Sequence, residues 1–281
     1  MTVGILTRNS EKTIEKCLAS VINSSLPKNK MQIIIVDNAS EDKTLEIAEK
    51  MLKTFAIDHK ILINEKLGTI GRSRQMVVDN SCTEYVLWID SDAVIPPKYI
   101  ESQLCYIRQS GAAIVFPLAI LAINVRSVLA RMQGYAWSIS TMNALKTGKT
   151  PFLGALGTIM KVDIIREVGG FDTQRVGGGE DLELILKVKR KGYKIAINPN
   201  AKIYHYMKEK WRDVVNNLRF WGSINKTTNQ GPRVIICEVA SLLKSSLAYV
   251  GLSILAFSEF KDLACLLIPV YMVLWKIINL A

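Results

Sequence analysis

Three groups of acidic residues mark where this chain can do chemistry. An apolar run, Tyr85-Val86-Leu87-Trp88-Ile89, ends in Asp90-Ser91-Asp92. The run has the length and the β-branched and aromatic make-up of a buried strand. Side chains alternate along a strand, so Asp90 and Asp92 point in the same general direction. Two such carboxylates suit a hard divalent cation that also holds substrate phosphates. The same residues suit a polar turn that merely ends the strand. A second apolar run, Ile33-Ile34-Ile35-Val36, also ends in an acid, within Asp37-Asn38-Ala39-Ser40. The third group, Glu180-Asp181, opens a helical pattern. Acids there complement the helix dipole whatever else they do, and the preceding Gly177-Gly178-Gly179 lets the backbone approach a ligand closely.

These acids need a scaffold that carries them to one edge. Strand patterns at Val3–Thr7, Gln32–Val36, Lys60–Asn64 and Tyr85–Ile89 alternate with helical patterns at Glu11–Asn23, Asp42–Lys53 and Thr69–Asn80. Such alternation predicts an α/β fold with a mostly parallel sheet and helices on both faces. Ser40 or Asp42 serves as cap of the second helix. In a sheet of this kind ligands bind beyond the carboxyl ends of the strands. Thr7-Arg8-Asn9, Asp37 and Asp90-Ser91-Asp92 all fall there. No Gly-x-Gly-x-x-Gly follows the first strand and no Gly-x-x-x-x-Gly-Lys-Ser/Thr is present, which weakens dinucleotide and P-loop readings.

The middle of the chain is less regular. Ala112–Pro117 reads as a strand. Leu118–Met132 is apolar apart from Arg126 and Arg131, and reads as a core helix or as one lying on a membrane surface. Asp163–Val168 is a short helix, and Glu180–Gly192 a longer one that stops on glycine. Lys194–Ile197 and Lys202–Tyr206 read as two short strands.

The last third changes character. Val239–Phe257 and Leu263–Ala281 are each nineteen residues with one charge, Lys244 and Lys276. Each approaches the roughly 20 residues that cross a bilayer, so the sequence predicts a membrane hairpin over 234–281, after a catalytic domain over 1–233. Two buried or interfacial helices are the alternative. Lys202, Lys208, Lys210, Arg212, Arg219, Lys226 and Arg233 precede it, against only Glu209 and Asp213. That bias places the globular part in the cytoplasm. The hairpin also allows packing against copies of itself.

The 281 residues carry a net charge of +11, all of it within 1–233. The excess suggests a polyanionic partner, such as nucleotide phosphates or an anionic membrane face. No zinc-finger spacing or aromatic-glycine motif supports nucleic acid. The five cysteines, Cys17, Cys82, Cys105, Cys237 and Cys265, are scattered and odd in number, which fits a reducing compartment and no disulfide framework. The first residues, Met1 to Thr7, read as a strand and not as a signal peptide.

Taken in order, Thr7-Arg8-Asn9, Val36-Asp37-Asn38-Ala39-Ser40, Gly71-Arg72-Ser73-Arg74, Asp90-Ser91-Asp92, Val168-Gly169-Gly170-Phe171-Asp172 and Glu180-Asp181-Leu182 resemble the inverting glycosyltransferases of family 2, of GT-A fold. The resemblance covers roughly residues 1–230 and implies a Rossmann-like, mixed but mostly parallel sheet. It implies that Asp37 reads the base of a nucleotide-sugar donor (UDP- or GDP-linked), with Thr7, Arg8, Asn9 and Arg72 around it. Asp90 and Ser91 fall at the ribose side. Asp92, with Asp90 and His205, falls at a Mn²⁺ or Mg²⁺ ion that bridges the diphosphate. Asp181 matches the general base and Glu180 its neighbour. His205, in Ile203-Tyr204-His205-Tyr206, equally suits a packed strand. The chain lacks Gln-x-x-Arg-Trp, of which Asn217-Leu218-Arg219-Phe220-Trp221 is only reminiscent, so a processive synthase is disfavoured. The first loop is not the Tyr-Asn-Glu of dolichyl-phosphate sugar synthases, which favours a lipid-linked glycan acceptor over a bare polyprenyl phosphate. A non-catalytic nucleotide-sugar-binding membrane protein is the remaining reading.

Overall fold

The computed structural model describes residues 1–64, 68–147, 154–222 and 249–280. They fall into two compact units. The first comprises residues 1–118, 152–176 and 180–204, and the second 119–151, 177–179 and 205–281.

The first unit is built on a mixed sheet. Its strands are β1 (Thr2–Thr7), β2 (Gln32–Asp37), β3 (Asp58–Ile63), β4 (Tyr85–Asp90), β5 (Ala93–Val94), β6 (Ile114–Ala122), β7 (Ile159–Lys161) and β8 (Ile195–His205), in the order β3-β2-β1-β4-β7-β6-β8-β5. β3, β2, β1 and β4 run parallel, and β7 is antiparallel to both β4 and β6. The parallel strands are near-continuous Ile, Val and Leu, and Ile33 to Val36 are wholly buried. That is the composition of strands covered on both faces. The connecting helices are α1 (Ile14–Ile22), α2 (Thr44–Thr54), α3 (Ile70–Asn80) and α4 (Tyr99–Ser110). Gly4 permits the close seating of α3 on the sheet: a Cβ there would lie 2.8 Å from Val77 Cγ1 and 3.0 Å from the Trp88 ring. Thr69 caps α3, its hydroxyl oxygen accepting from the Arg72 N–H at 3.1 Å, as an N-cap threonine does. Two further helices, α6 (Val162–Glu167) and α7 (Glu180–Arg190), come later in the chain.

Two expectations for the middle of the chain are corrected here. Leu118–Met132 is not one helix: residues 118–122 finish β6, and α5 (Val128–Thr147) starts only after Ser127, whose hydroxyl accepts from the Ala130 N–H. A short apolar run carries no periodicity that separates strand from buried helix. The two short strands predicted around Asn198-Pro199-Asn200 are a single strand, β8. The Asn198 side chain accepts the Asn200 N–H at 3.0 Å, so the proline interrupts the ladder without ending the strand.

The second unit is helical. It holds α5, α8 (Trp211–Gly222), α9 (residues 249–260), a 3₁₀ turn (Leu263–Leu267) and α10 (Ile268–Leu280). Leu129, Met132, Val214, Leu218, Ala256 and Ile268 share its core. Asp262 fastens the turn. It pairs with the Arg131 guanidinium at 2.6 Å and accepts from the Tyr135 hydroxyl at 2.9 Å. Burial opposes the charge, but the Ala264 N–H, Arg131 and Tyr135 together hold the Asp262 carboxyl below its ordinary range. Burial, and then the Asp262 charge, push the Tyr135 hydroxyl up to about 12.

The expected membrane hairpin is not found among the described residues, where no helix is long and apolar enough to cross a membrane. Among the described residues of Leu263–Ala281, only the 13 of α10 are α-helical. At 1.5 Å per residue they reach about 20 Å, short of the roughly 30 Å hydrocarbon layer. Ala264, Cys265, Ile268 and Tyr271 are buried in the protein's own core. Residues 239–248 of the first expected span, with Lys244, lie outside the described residues, as do Lys226, Arg233 and Cys237.

Candidate active site

The carboxyl ends of the parallel strands bring most of the predicted residues to one edge of the sheet. Thr7 and Asp37 are register partners at the ends of β1 and β2, and Asp90, closing β4, stands opposite Leu6. Asp37 is fully buried. The Ser40 N–H donates to Asp37 Oδ2 at 2.8 Å and the Ser40 hydroxyl to Oδ1 at 2.5 Å. Ser40 Oγ accepts from the Asn9 N–H at 2.8 Å, and Asn9 Oδ1 accepts from the Glu41 N–H at 2.9 Å. The loops after β1 and β2 are therefore one hydrogen-bonded unit. Asn9 and Ala39 both take left-handed backbone, with φ of 48° and 55°. Side chains disfavour that region, and residues held in it cluster at functional sites. Arg8 is exposed beside them.

The β4 end joins the same loop system, since the Ser91 and Ser10 hydroxyls lie 2.8 Å apart. Asp90 and Asp92 are half-buried. Their charge is felt by Cys17, whose thiol reaches the Asp90 carbonyl at 3.4 Å. Burial first, then Asp92 and Asp90, raise that thiol far above its ordinary range. Two neighbouring carboxylates are hard oxygen donors, a donor set that fits Mg²⁺ or Mn²⁺.

Glu180 and Asp181 open α7 at 1 % and 4 % exposure. The approach to them is glycine-dependent: Gly177 and Gly179 both have φ of 94°. Asp181 Oδ2 accepts the Ala155 N–H at 3.0 Å, and Oδ1 accepts the Leu182 N–H at 2.7 Å. The loop that supplies Ala155 is held from below. The Tyr99 hydroxyl and the Gln103 amide both donate to the Gly157 carbonyl at 2.7 Å.

The sequence pattern around α3 assigns Arg74 no role; the structure gives it one. Its Nε donates to Glu180 Oε1 at 2.9 Å, with both side chains buried. The guanidinium carbon lies 5.3 Å from the Trp88 ring centroid, a cation–π contact. Burial works against the Arg74 charge, but the Glu180, Asp181 and Asp90 carboxylates outweigh it and hold its pKa above the usual value. Burial pushes the Glu180 carboxyl up; Arg74 pulls it down and Asp181 adds to the rise. Arg72 is exposed on α3 and lines a shallow cavity with Thr69, Gln75 and Gln174.

His205 ends β8 and falls in the second unit. Its carbonyl accepts the Ile123 N–H at 3.0 Å, and its ring centroid is 6.1 Å from that of Trp137.

Gly71 fixes how closely α3 meets the loop that leads to α7. A Cβ at Gly71 would run into the Asp172 carbonyl oxygen. Gly to Ala in a helix interior ordinarily stabilises by about 1 kcal/mol. Gly71→Ala should instead destabilise by about 1–3 kcal/mol through overpacking, as read by the midpoint of chemical denaturation. A more stable variant would remove this contact from the description.

A model of the family described as "Glycosyl transferase family 2" matches residues 2–169. Glycosyltransferase AglE of Haloferax volcanii is 24% identical over 235 residues, which is 79% of this chain and 74% of that protein. Poly(ribitol-phosphate) beta-N-acetylglucosaminyltransferase TarS of Staphylococcus aureus is 28% identical over 127 residues, 45% of this chain and 22% of that protein. Among solved structures, mannosyltransferase PcManGT of Pyrobaculum calidifontis, in complex with GDP-Man and Mn²⁺, aligns with a TM-score of 0.69 at 15% identity, covering 99% of this chain and 86% of that one. TarS 1-349 in complex with UDP-GlcNAc aligns at 0.59 and 19% identity, covering 82% and 67%. At these identities the structural likenesses carry the fold alone.

Proposed function

Because the chain belongs to glycosyl transferase family 2, and is a glycosyltransferase with a GT-A-like mixed sheet, we propose that residues 1–233 catalyse inverting, metal-dependent transfer from a nucleotide sugar. The observation that carries this reading is the shared edge formed by the Thr7–Ser10 loop, Asp37–Ser40 and Asp90–Asp92. PcManGT with GDP-Man and Mn²⁺, and TarS with UDP-GlcNAc, support the donor class.

In this reading Asp37, clamped by Ser40, accepts from the base of the nucleotide, and Thr7, Arg8 and Asn9 wall the base pocket, with Arg72 as its outer cation. Asp90 and Ser91 orient the ribose. Asp92, with Asp90 beside it, would hold Mn²⁺ or Mg²⁺. The ion's part is to neutralise charge on the departing nucleoside diphosphate. Asp181 takes the proton of the acceptor hydroxyl as that oxygen attacks the anomeric carbon from the face opposite the leaving group. Its two amide contacts fix the direction of the carboxylate, and Glu180, held by Arg74, fixes the start of α7. The acceptor is a glycan carried on a membrane lipid, with the catalytic domain on the cytoplasmic face. The unpaired Cys17, Cys82, Cys105 and Cys265 support that side.

Asp92→Asn tests the metal assignment. An ion of this kind contributes several kcal/mol to the transition state, so turnover of a nucleotide sugar should fall at least about 100-fold. The Mn²⁺ concentration for half-maximal activity should rise, and the melting temperature should hold. Unchanged metal dependence would take Asp92 off the ion.

A further inference from the structure

The second unit carries an apolar surface that the transfer chemistry does not use. Along α9, Tyr249, Ser253 and Ala256 face inward, while Val250, Ile254 and Phe257 are exposed. A second exposed set is Leu263, Leu266 and Val270, with Ile254 62% and Leu263 70% exposed. Steps of four and three residues on α9, and of three and four from Leu263 to Val270, keep each set on one side of its element. A helix that is apolar on both sides has one side for the core and another for a non-aqueous neighbour. Large apolar side chains left exposed in a row mark an interaction site when they gather on one surface.

The charge and aromatic residues of the same unit select the neighbour. Its described residues hold nine Lys and Arg against four Asp and Glu. On and before α8, Lys208, Lys210, Arg212 and Arg219 are exposed, alternating with exposed Trp211 and Phe220. Asp262, one of the four acids, is already paired with Arg131. Basic residues with amphipathic aromatics beside an apolar ridge match an anionic lipid interface, headgroups to the cations and acyl chains to the ridge. A second copy would instead bring two units of the same positive sign together, which repels.

We propose that the exposed apolar residues between Val250 and Val270 form a membrane-docking surface that lies in the interface of an anionic bilayer. The inference goes beyond the transfer reading, since docking requires neither donor nor acceptor.

The test is flotation of the full chain with phosphatidylcholine vesicles, with and without phosphatidylglycerol, against the double variant Ile254→Asp, Leu266→Asp. Both positions are exposed, and an unchanged melting temperature verifies the fold; if the double variant melts early, Ile254→Asp alone is compared instead. The wild type should float with phosphatidylglycerol vesicles, less at high salt, and the variant's bound fraction should fall at least about tenfold. Wild type that stays at the bottom with both vesicles overturns the proposal, as does a variant that floats equally well. A dimer in light scattering that the variant dissolves, with no flotation of the wild type, assigns the ridge to a second copy. Nucleotide-sugar hydrolysis in detergent-free buffer is read in parallel. Its loss with flotation retained would fail the transfer reading alone.

Discussion

Asp181→Asn should lower the rate of sugar transfer by about 10²–10⁴-fold, the range that a positioned general base contributes, while the protein stays folded. Asp181 is 4 % exposed, and both its oxygens already accept backbone N–H groups, from Ala155 and Leu182. Asparagine keeps the shape and one acceptor oxygen, so one of the two backbone contacts is retained, and the loop carrying Ala155 is still held by Tyr99 and Gln103 at the Gly157 carbonyl. The variant lacks a group that can take the acceptor's proton. Product formation from a nucleotide sugar, measured beside the thermal midpoint, separates loss of the base from loss of the fold. Activity within a few-fold of wild type would move the base elsewhere.

Arg74→Met is the second large effect, and it falls on stability. Removing one partner of a buried ion pair costs about 3–5 kcal/mol, because the other charge is left in the interior. Here that charge is Glu180, at 1 % exposure, 2.9 Å from the Arg74 Nε. The pH dependence has a definite sign. Burial already raises the Glu180 carboxyl, and Arg74 is the group that pulls it down. Without Arg74 the carboxyl rises further above its unfolded value. A carboxyl raised on folding supports the fold below its unfolded pKa, and that support is lost as pH rises through the folded pKa. The deficit of Arg74→Met should therefore be smallest in acid and grow as pH rises above the ordinary carboxylate range. Adding Glu180→Gln should recover much of the loss, and the double-mutant cycle reads the pair directly. A deficit that is flat with pH, or that the second substitution fails to relieve, would mean that Arg74 acts by packing on Trp88 alone.

The part of the site legible in the sequence is the part carried by local pattern. Apolar runs that stop at Asp37 and at Asp90 announce both the strands and the edge where they end, because buried parallel strands are continuous in Ile, Val and Leu. The same holds for α1, α2 and α3, whose ends the sequence places within a few residues. Pairings across the chain are another matter. Arg74 and Glu180 are 106 residues apart, and neither residue type predicts its partner. The Ala155 amide that holds Asp181 has no signal beyond a run of small residues. The tail is ambiguous in the sequence for a physical reason. Apolar residues that pack into a helical core and those that span a bilayer have the same composition, and only helix length and the inward set of Ala264, Cys265, Ile268 and Tyr271 separate them.

The central claim is that the strand edge binds a nucleotide sugar with a divalent cation and that Asp181 acts on it afterwards. Calorimetric titration of UDP-GlcNAc and of GDP-Man, with and without Mn²⁺, into wild type and Asp181→Asn tests this most directly. At least one donor should bind both proteins equally and only with the metal, while turnover disappears in the variant. Absence of metal-dependent binding of either nucleotide sugar to the wild type would contradict the account.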